Sequence, residues 1–176
     1  MIYTFIVIGG ILVFIILTTF AYGGILAAPF VPTWKKDVKR ALKLAKIRPG
    51  ERMYDLGSGD GRFIIPAAKE YGAISTGLEI ALLPYIYSYG KIKLLRLGKI
   101  AQVKMRNFYD YNVADADVII TFLSTRAMTG LKKKFQKELK PGARIVSLVF
   151  PIHGWEPQII DRPSDEDLPI FVYIVK

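Results

Sequence analysis

From Met1 to Trp34 the chain carries no charged residue, and Ile2 to Ala28 is almost wholly apolar. Nothing else in the sequence limits the fold so sharply. A helix needs about 20 apolar residues to cross the hydrocarbon of a bilayer, so this run is long enough with room for tilt. A cleaved signal peptide would open with a basic segment and a shorter apolar core. Here nothing basic precedes the run, and Pro29 follows Ala27 and Ala28, an awkward place for cleavage. A buried core helix would show a polar stripe, and this run shows none. Residues 1–28 therefore read as a single transmembrane anchor. Tyr22, Phe30 and Trp34 fall at an interfacial aromatic belt, and Lys35, Lys36, Lys39 and Arg40 put the rest of the chain in the cytoplasm.

Beyond the anchor the composition changes. Residues 29–50 read as a linker and an amphipathic helix. Pro29 and Pro32 stiffen "PFVPTWKK", and Thr33 stands where a helix cap is wanted. Val38, Ala41, Leu42 and Ala45 recur at helical spacing, which predicts a helix over 35–46 with a basic face near lipid headgroups. "RPGE" ends it.

Residues 51–176 form the main domain, and a chain of 176 residues has room for one. Strand and helix signals alternate along it. Strands are expected at 52–56, 73–79, 101–106 and 117–123, with a fifth in "PGARIVSLVF". Helices are expected up to Tyr71, over 82–97, and around Met128, Leu131, Phe135 and Leu139. "PQIIDR" and "PIFVYIVK", joined by "PSDEDL", look like a closing antiparallel hairpin. Alternation of this kind gives a doubly wound α/β sheet.

The first strand runs into "YDLGSGDGR". Gly57, Gly59 and Gly61 lie between a strand and a helix, where ligands collect in open α/β sheets. Bare backbone there lets a ligand approach closely and offers N–H groups at a helix N-terminus. Glu79, ending the next strand, is placed to accept both hydroxyls of a ribose. The pattern is G-x-G-x-G rather than the dinucleotide G-x-G-x-x-G, and Asp55 and Asp60 bracket it. Two carboxylates repel a pyrophosphate and suit a cation or an amine. S-adenosylmethionine carries an α-ammonium and a sulfonium beside its ribose, and it matches this mixture better than NAD does. The alternative is a tight turn with no ligand.

Charge and composition narrow the rest. A net charge of +10 favours an acidic partner: nucleic acid, an anionic lipid surface or an acidic protein. With no cysteine, disulfides and thiolate zinc sites are excluded, and the single histidine, His153, argues against a histidine metal cluster or a Ser/His triad. "KKK" at 132–134 reads as a solvated helix face, and "SDED" at 164–167 as a solvated loop rather than a calcium site.

"YDLGSGDGR" followed by "GLE" resembles motif I and the acidic motif of class I S-adenosylmethionine-dependent methyltransferases. With "FVPT", "KELKPGARIVS" and "FPIHGWEP" it resembles the small protein-lysine methyltransferases. That group includes an archaeal broad-specificity enzyme and the mitochondrial enzymes modifying the ATP synthase c subunit and the adenine nucleotide translocase. The resemblance covers residues 30 to about 157. It implies a Rossmann-like catalytic domain over 51–176, S-adenosyl-L-methionine as cofactor, and methyl transfer to protein lysine. It places Asp55, Gly57, Ser58, Gly59, Asp60 and Gly61 around the methionine part of the cofactor and Glu79 on the ribose. Asn107 and Phe108 fall beside adenine, with the Asn107 amide oxygen able to accept from its amine. Val31, Pro32 and Thr33 help to close the pocket. Ile80 and Ala81 stand where many relatives have Asx-Pro.

No catalytic side chain is identified by this reading. Phe122, Leu123 and Trp155 are candidate walls of a lysine channel, with core packing the alternative for each. The Asn/Asp-Pro-Pro-aromatic signature of nucleic-acid amine methyltransferases is missing after the fourth strand, where "FLST" stands, so nucleic acid is not the expected substrate. The expected partners are a protein with an accessible lysine, membrane-embedded proteins included, and the membrane itself. Two other functions fit the same features: methylation of a small or lipidic amphiphile, and a non-enzymatic basic module binding lipid or RNA. On the protein-lysine reading the span selects substrate by location and stands apart from the chemistry.

Overall fold

A computed structural model describes residues 1–26 and 32–176. Pro29, Phe30 and Val31, and with them the junction of anchor and linker, lie outside the described residues. The helices are α1 (Ile2–Leu26), α2 (Lys35–Leu44), α3 (Ile64–Tyr71), α4 (Leu82–Leu94) and α5 (Thr125–Glu138). The strands are β1 (Arg52–Leu56), β2 (Ile74–Glu79), β3 (Ala101–Met105), β4 (Val118–Thr121), β5 (Arg144–Leu148), β6 (Ile159–Asp161) and β7 (Ile170–Ile174).

They build one 7-stranded sheet in the order β3-β2-β1-β4-β5-β7-β6. β1 pairs in parallel with β2 and β4, and β5 continues the parallel set beside β4. β7 runs antiparallel to β5, and β6 to β7, which is the hairpin expected from the sequence. The strand order reverses between β1 and β4, so the crevice over their carboxyl ends is the place for a ligand.

Helices cover both faces, and the strand sequences show it. β4 is buried throughout. Val118 and Ile120 join the cluster of α2 and α3, while Ile119 joins the cluster of α5 with Met128, Leu131 and Phe135. A strand buried on both sides must be apolar at every position rather than at alternate ones. That is why "VII" reads as a continuous run.

Several boundaries differ from the sequence reading. The helix expected over 35–46 ends at Leu44, because Lys46 takes φ 47°. Thr33 does not cap it: Trp34 holds the cap position without a side-chain bond, and Thr33 is buried beneath it. The basic face is partly consumed as well. Arg40 donates to Asp37 at 2.7 Å and to Asp161 at 2.6 Å, and Lys36 pairs with Asp167 at 2.8 Å, so α2 is tied to the hairpin. The strand expected over 117–123 ends at Thr121, and Phe122 and Leu123 leave the sheet. "KKK" is not a uniformly solvated face, since Lys134 lies along the domain and pairs with Glu138 at 2.7 Å.

α1 is 25 residues of apolar helix. By length and composition Ile2–Ile25 suffices to cross a bilayer, and none of it is buried in the domain as a core helix would be. Its last turns nevertheless touch the domain. Ile16, Thr19, Gly23 and Gly24 are half-buried on one face, and α1 packs on α4. The Leu82 N–H donates to Thr19 Oγ1 at 3.3 Å.

Candidate active site

β1 delivers Asp55 to the crevice, and the chain then turns through Gly57, Ser58 and Gly59. Gly57 has φ 82°, and a Cβ there would stand 3.0 Å from Leu123 Cδ2. Gly61 has φ 79°, and a Cβ there would meet Ser88 Oγ at 2.5 Å. Both positions demand glycine for conformation and for space. The turn's own donors are already engaged within the fold. The Gly57 and Ser58 N–H groups donate to the Leu78 carbonyl, and that of Gly61 to the Ser58 carbonyl.

Glu79 fastens this turn to the next. Its Oε2 accepts from the Gly59 N–H at 2.7 Å, and its Oε1 accepts from the N–H groups of Ile80 and Ala81, each at 2.8 Å. Asp55 is treated differently. It is buried, and its Oδ2 has no hydrogen-bond partner among the described residues. Burial pushes its carboxyl well above the usual carboxylate range, the charges of Glu79 and Asp60 push the same way, and Arg62 opposes them. A desolvated carboxylate oxygen with no donor is costly unless a cation arrives.

These groups open onto a cavity of about 470 Å³. That is the size of an ordinary small-molecule site. Thr33, Asp55, Gly57, Ser58, Gly59, Glu79, Asn107, Phe108, Phe122 and Leu123 all line it. Four of the expected residues that the structure describes do not, and one of them, Pro32, is exposed. Asp60 turns away to hold Arg62 through two bonds of 2.8 Å. Gly61 is closed off by Ser88, and Trp155 packs edge-on against Tyr173, 6.1 Å between ring centroids, beside a separate cavity. Asn107 lines the cavity, and its amide oxygen accepts from the Tyr109 N–H at 3.0 Å, which leaves one lone pair for a further donor.

Other lining residues escaped the sequence reading. Arg62 bridges two parts of the wall, since it also donates to the Thr33 carbonyl. Ser124, whose Oγ accepts from the Ala127 N–H, closes one end as the cap of α5. A serine just before an amphipathic helix was a readable signal for this. Val149 lines the cavity with φ 67°, an outlier for a β-branched residue, and its turn presents Phe150. Phe20, Gly23 and Gly24 come from α1 itself, so this helix is not set apart from the site. Among the described residues no cluster of histidine or acidic side chains suits a metal ion.

The donor set fits S-adenosylmethionine. The orphaned Asp55 oxygen meets the need of an α-ammonium, Gly57 and Gly59 leave room at the turn, and Glu79 keeps acceptor capacity for a ribose hydroxyl. Comparison with known proteins agrees. The ANTKMT methyltransferase domain family matches residues 55–159. A protein-lysine N-methyltransferase of Saccharolobus islandicus is 37% identical over 83% of this chain and 91% of its own length. The Mus musculus lysine N-methyltransferase named for the ATP synthase c subunit is 34% identical over 73% of this chain, which spans about half (51%) of that relative. Among solved structures, an RNA methyltransferase of Salinibacter ruber with bound S-adenosyl-L-homocysteine superposes with a TM-score of 0.78 at 28% identity. It covers 82% of this chain and 94% of its own. A strand order built around a glycine turn, an unpaired buried acid within it and these relatives converge: the chain belongs to the ANTKMT methyltransferase domain family and is an S-adenosylmethionine-dependent methyltransferase.

Proposed function

We propose that this methyltransferase modifies lysine side chains of proteins, working from a membrane in which α1 anchors it. The observation that carries the lysine reading is the apolar part of the cavity wall that follows β4. Phe122 and Leu123 leave the sheet there as "FLST", and Phe150 joins them, making an apolar approach to the place where a methyl would be presented. The names of the Saccharolobus and mouse relatives support the same substrate.

Bound S-adenosylmethionine supplies an electrophilic methyl group on a sulfonium. The chain's own contribution is positional. Asp55 would hold the ammonium of the cofactor, Glu79 would hold its ribose, and the aromatic wall would strip water from an incoming amine. Desolvation disfavours an ammonium, so the lysine sheds its proton to solvent and arrives with a free lone pair. Alignment of that nitrogen in line with the methyl carries most of the rate gain available to such a site.

Anchoring is supported by the uncharged helix and by the cluster of lysines that follows it. The test uses the full chain, labelled cofactor and its native membrane fraction. Label on lysine of membrane protein bears the reading out. Label in lipid or RNA overturns the substrate, and release of the full chain by alkaline carbonate overturns the anchor.

A further inference from the structure

We infer that the last turns of α1 are a working wall of the cofactor pocket, so that cofactor affinity depends on this helix being docked. The inference rests on the methyltransferase reading of the pocket and extends it to a segment outside the catalytic domain. Phe20, Gly23 and Gly24 line the same cavity as the unpaired, buried Asp55 oxygen. They are held there by contacts on the loop that directly follows Glu79. A Cβ at Gly23 would stand 3.3 Å from Ile80 Cγ2, and Thr19 Oγ1 accepts from the Leu82 N–H at 3.3 Å. The Glu79 carboxylate also fixes the Ile80 and Ala81 N–H groups. One short loop therefore joins the ribose-binding acid to the helix, and the helix covers the nucleoside end of the pocket.

Glycine at these two positions has a physical reason. Gly23 allows close approach to the loop, while among the described residues nothing lies within 4 Å of a Cβ at Gly24, which lines the cavity. A larger side chain at Gly24 would occupy ligand volume without meeting protein. Gly9 and Gly10, in the first half of the same helix, also have nothing within 4 Å and line no part of the cavity. They serve as controls for helix propensity. Docking turns one face of this stretch, Thr19, Gly23 and Gly24, toward the domain, while Phe20 and Tyr22 stay exposed.

The test is S-adenosylhomocysteine binding by the full chain in detergent micelles. Gly24→Leu should weaken binding at least tenfold, while Gly9→Leu and Gly10→Leu stay within twofold of wild type. Because the chain has no cysteine, Gly24→Cys supplies a single thiol. Its maleimide labelling should slow at least fivefold in saturating S-adenosylhomocysteine, whereas Tyr22→Cys, on another face of that turn, should label at the same rate. Wild-type affinity in Gly24→Leu, or no protection of the Gly24→Cys thiol, overturns the inference and leaves the methyltransferase reading standing. Absence of binding by the wild type sinks both.

Discussion

β1 and β2 each carry a buried carboxylate at the carboxyl end, just before the turn, and the two are treated in opposite ways. Glu79 accepts three backbone N–H groups and is part of the scaffold before any ligand arrives. Asp55 lies buried with an oxygen that nothing satisfies. The same functional group is mortar in one turn and an unmet demand in the other. The difference separates the acid that shapes the pocket from the acid that the ligand completes.

The largest effect should come from the mortar. Glu79→Ala leaves three backbone donors without partners, which costs about 3 kcal/mol of stability in the unliganded protein. For a domain of this size that is roughly 6–12 °C in melting temperature. Cofactor binding should fall with it, and Glu79→Gln, which keeps an acceptor oxygen, should recover part of both. A variant melting like wild type breaks the contrast.

Asp55→Asn should behave in the opposite sense. Affinity for S-adenosylmethionine should fall by about 1.5–3 kcal/mol, because a charge-assisted partner is lost. Above the pH at which Asp55 gives up its proton, the unliganded protein should melt at a higher temperature, because an uncompensated charge is removed. A lower melting temperature would mean that Asp55 holds the turn together.

The pH dependence follows from the same acid. The folded, unliganded protein holds the Asp55 proton more tightly than the unfolded chain does. The folded state therefore binds more protons as pH rises from the ordinary carboxylate value through the raised one, and stability falls across that window. Cofactor affinity should move the other way, rising with pH as Asp55 ionises, and calorimetry should detect proton release on binding below that midpoint. In Asp55→Asn this dependence should vanish.

The smallest effect is expected at the rim. Asp60 and Arg62 are partly exposed, so Asp60→Asn should change stability by less than about 1 kcal/mol. It removes a carboxylate that pushes the Asp55 proton affinity up and frees Arg62, so the midpoint of the affinity profile should shift downward.

Much of this was legible in the chain. β1 begins and ends where the sequence placed it, and Asp55, Glu79 and the glycines at 57 and 59 line one cavity. Their meaning is local: a glycine between a strand and a helix, and an acid at the end of the next strand, are consequences of neighbouring residues. The exit of Phe122 and Leu123 from β4 was not local in that sense. Their apolar character continues the strand pattern, and only the need to pack Leu123 against Gly57 shows where the sheet stops.

What the sequence by itself determined were the features written into short stretches: an uncharged helix, alternating strands and helices, and a turn that excludes side chains. Tertiary structure alone decided which acid would be left without a donor, that Asp60 would face Arg62, and that Trp155 would pack on Tyr173 away from the cavity. It also decided that α1 would reach the pocket. An apolar helix satisfies its own backbone and carries almost no directional information in its side chains. The contact face of α1 was set by the surface presented to it, where Ile80 and the Leu82 N–H met Gly23 and Thr19.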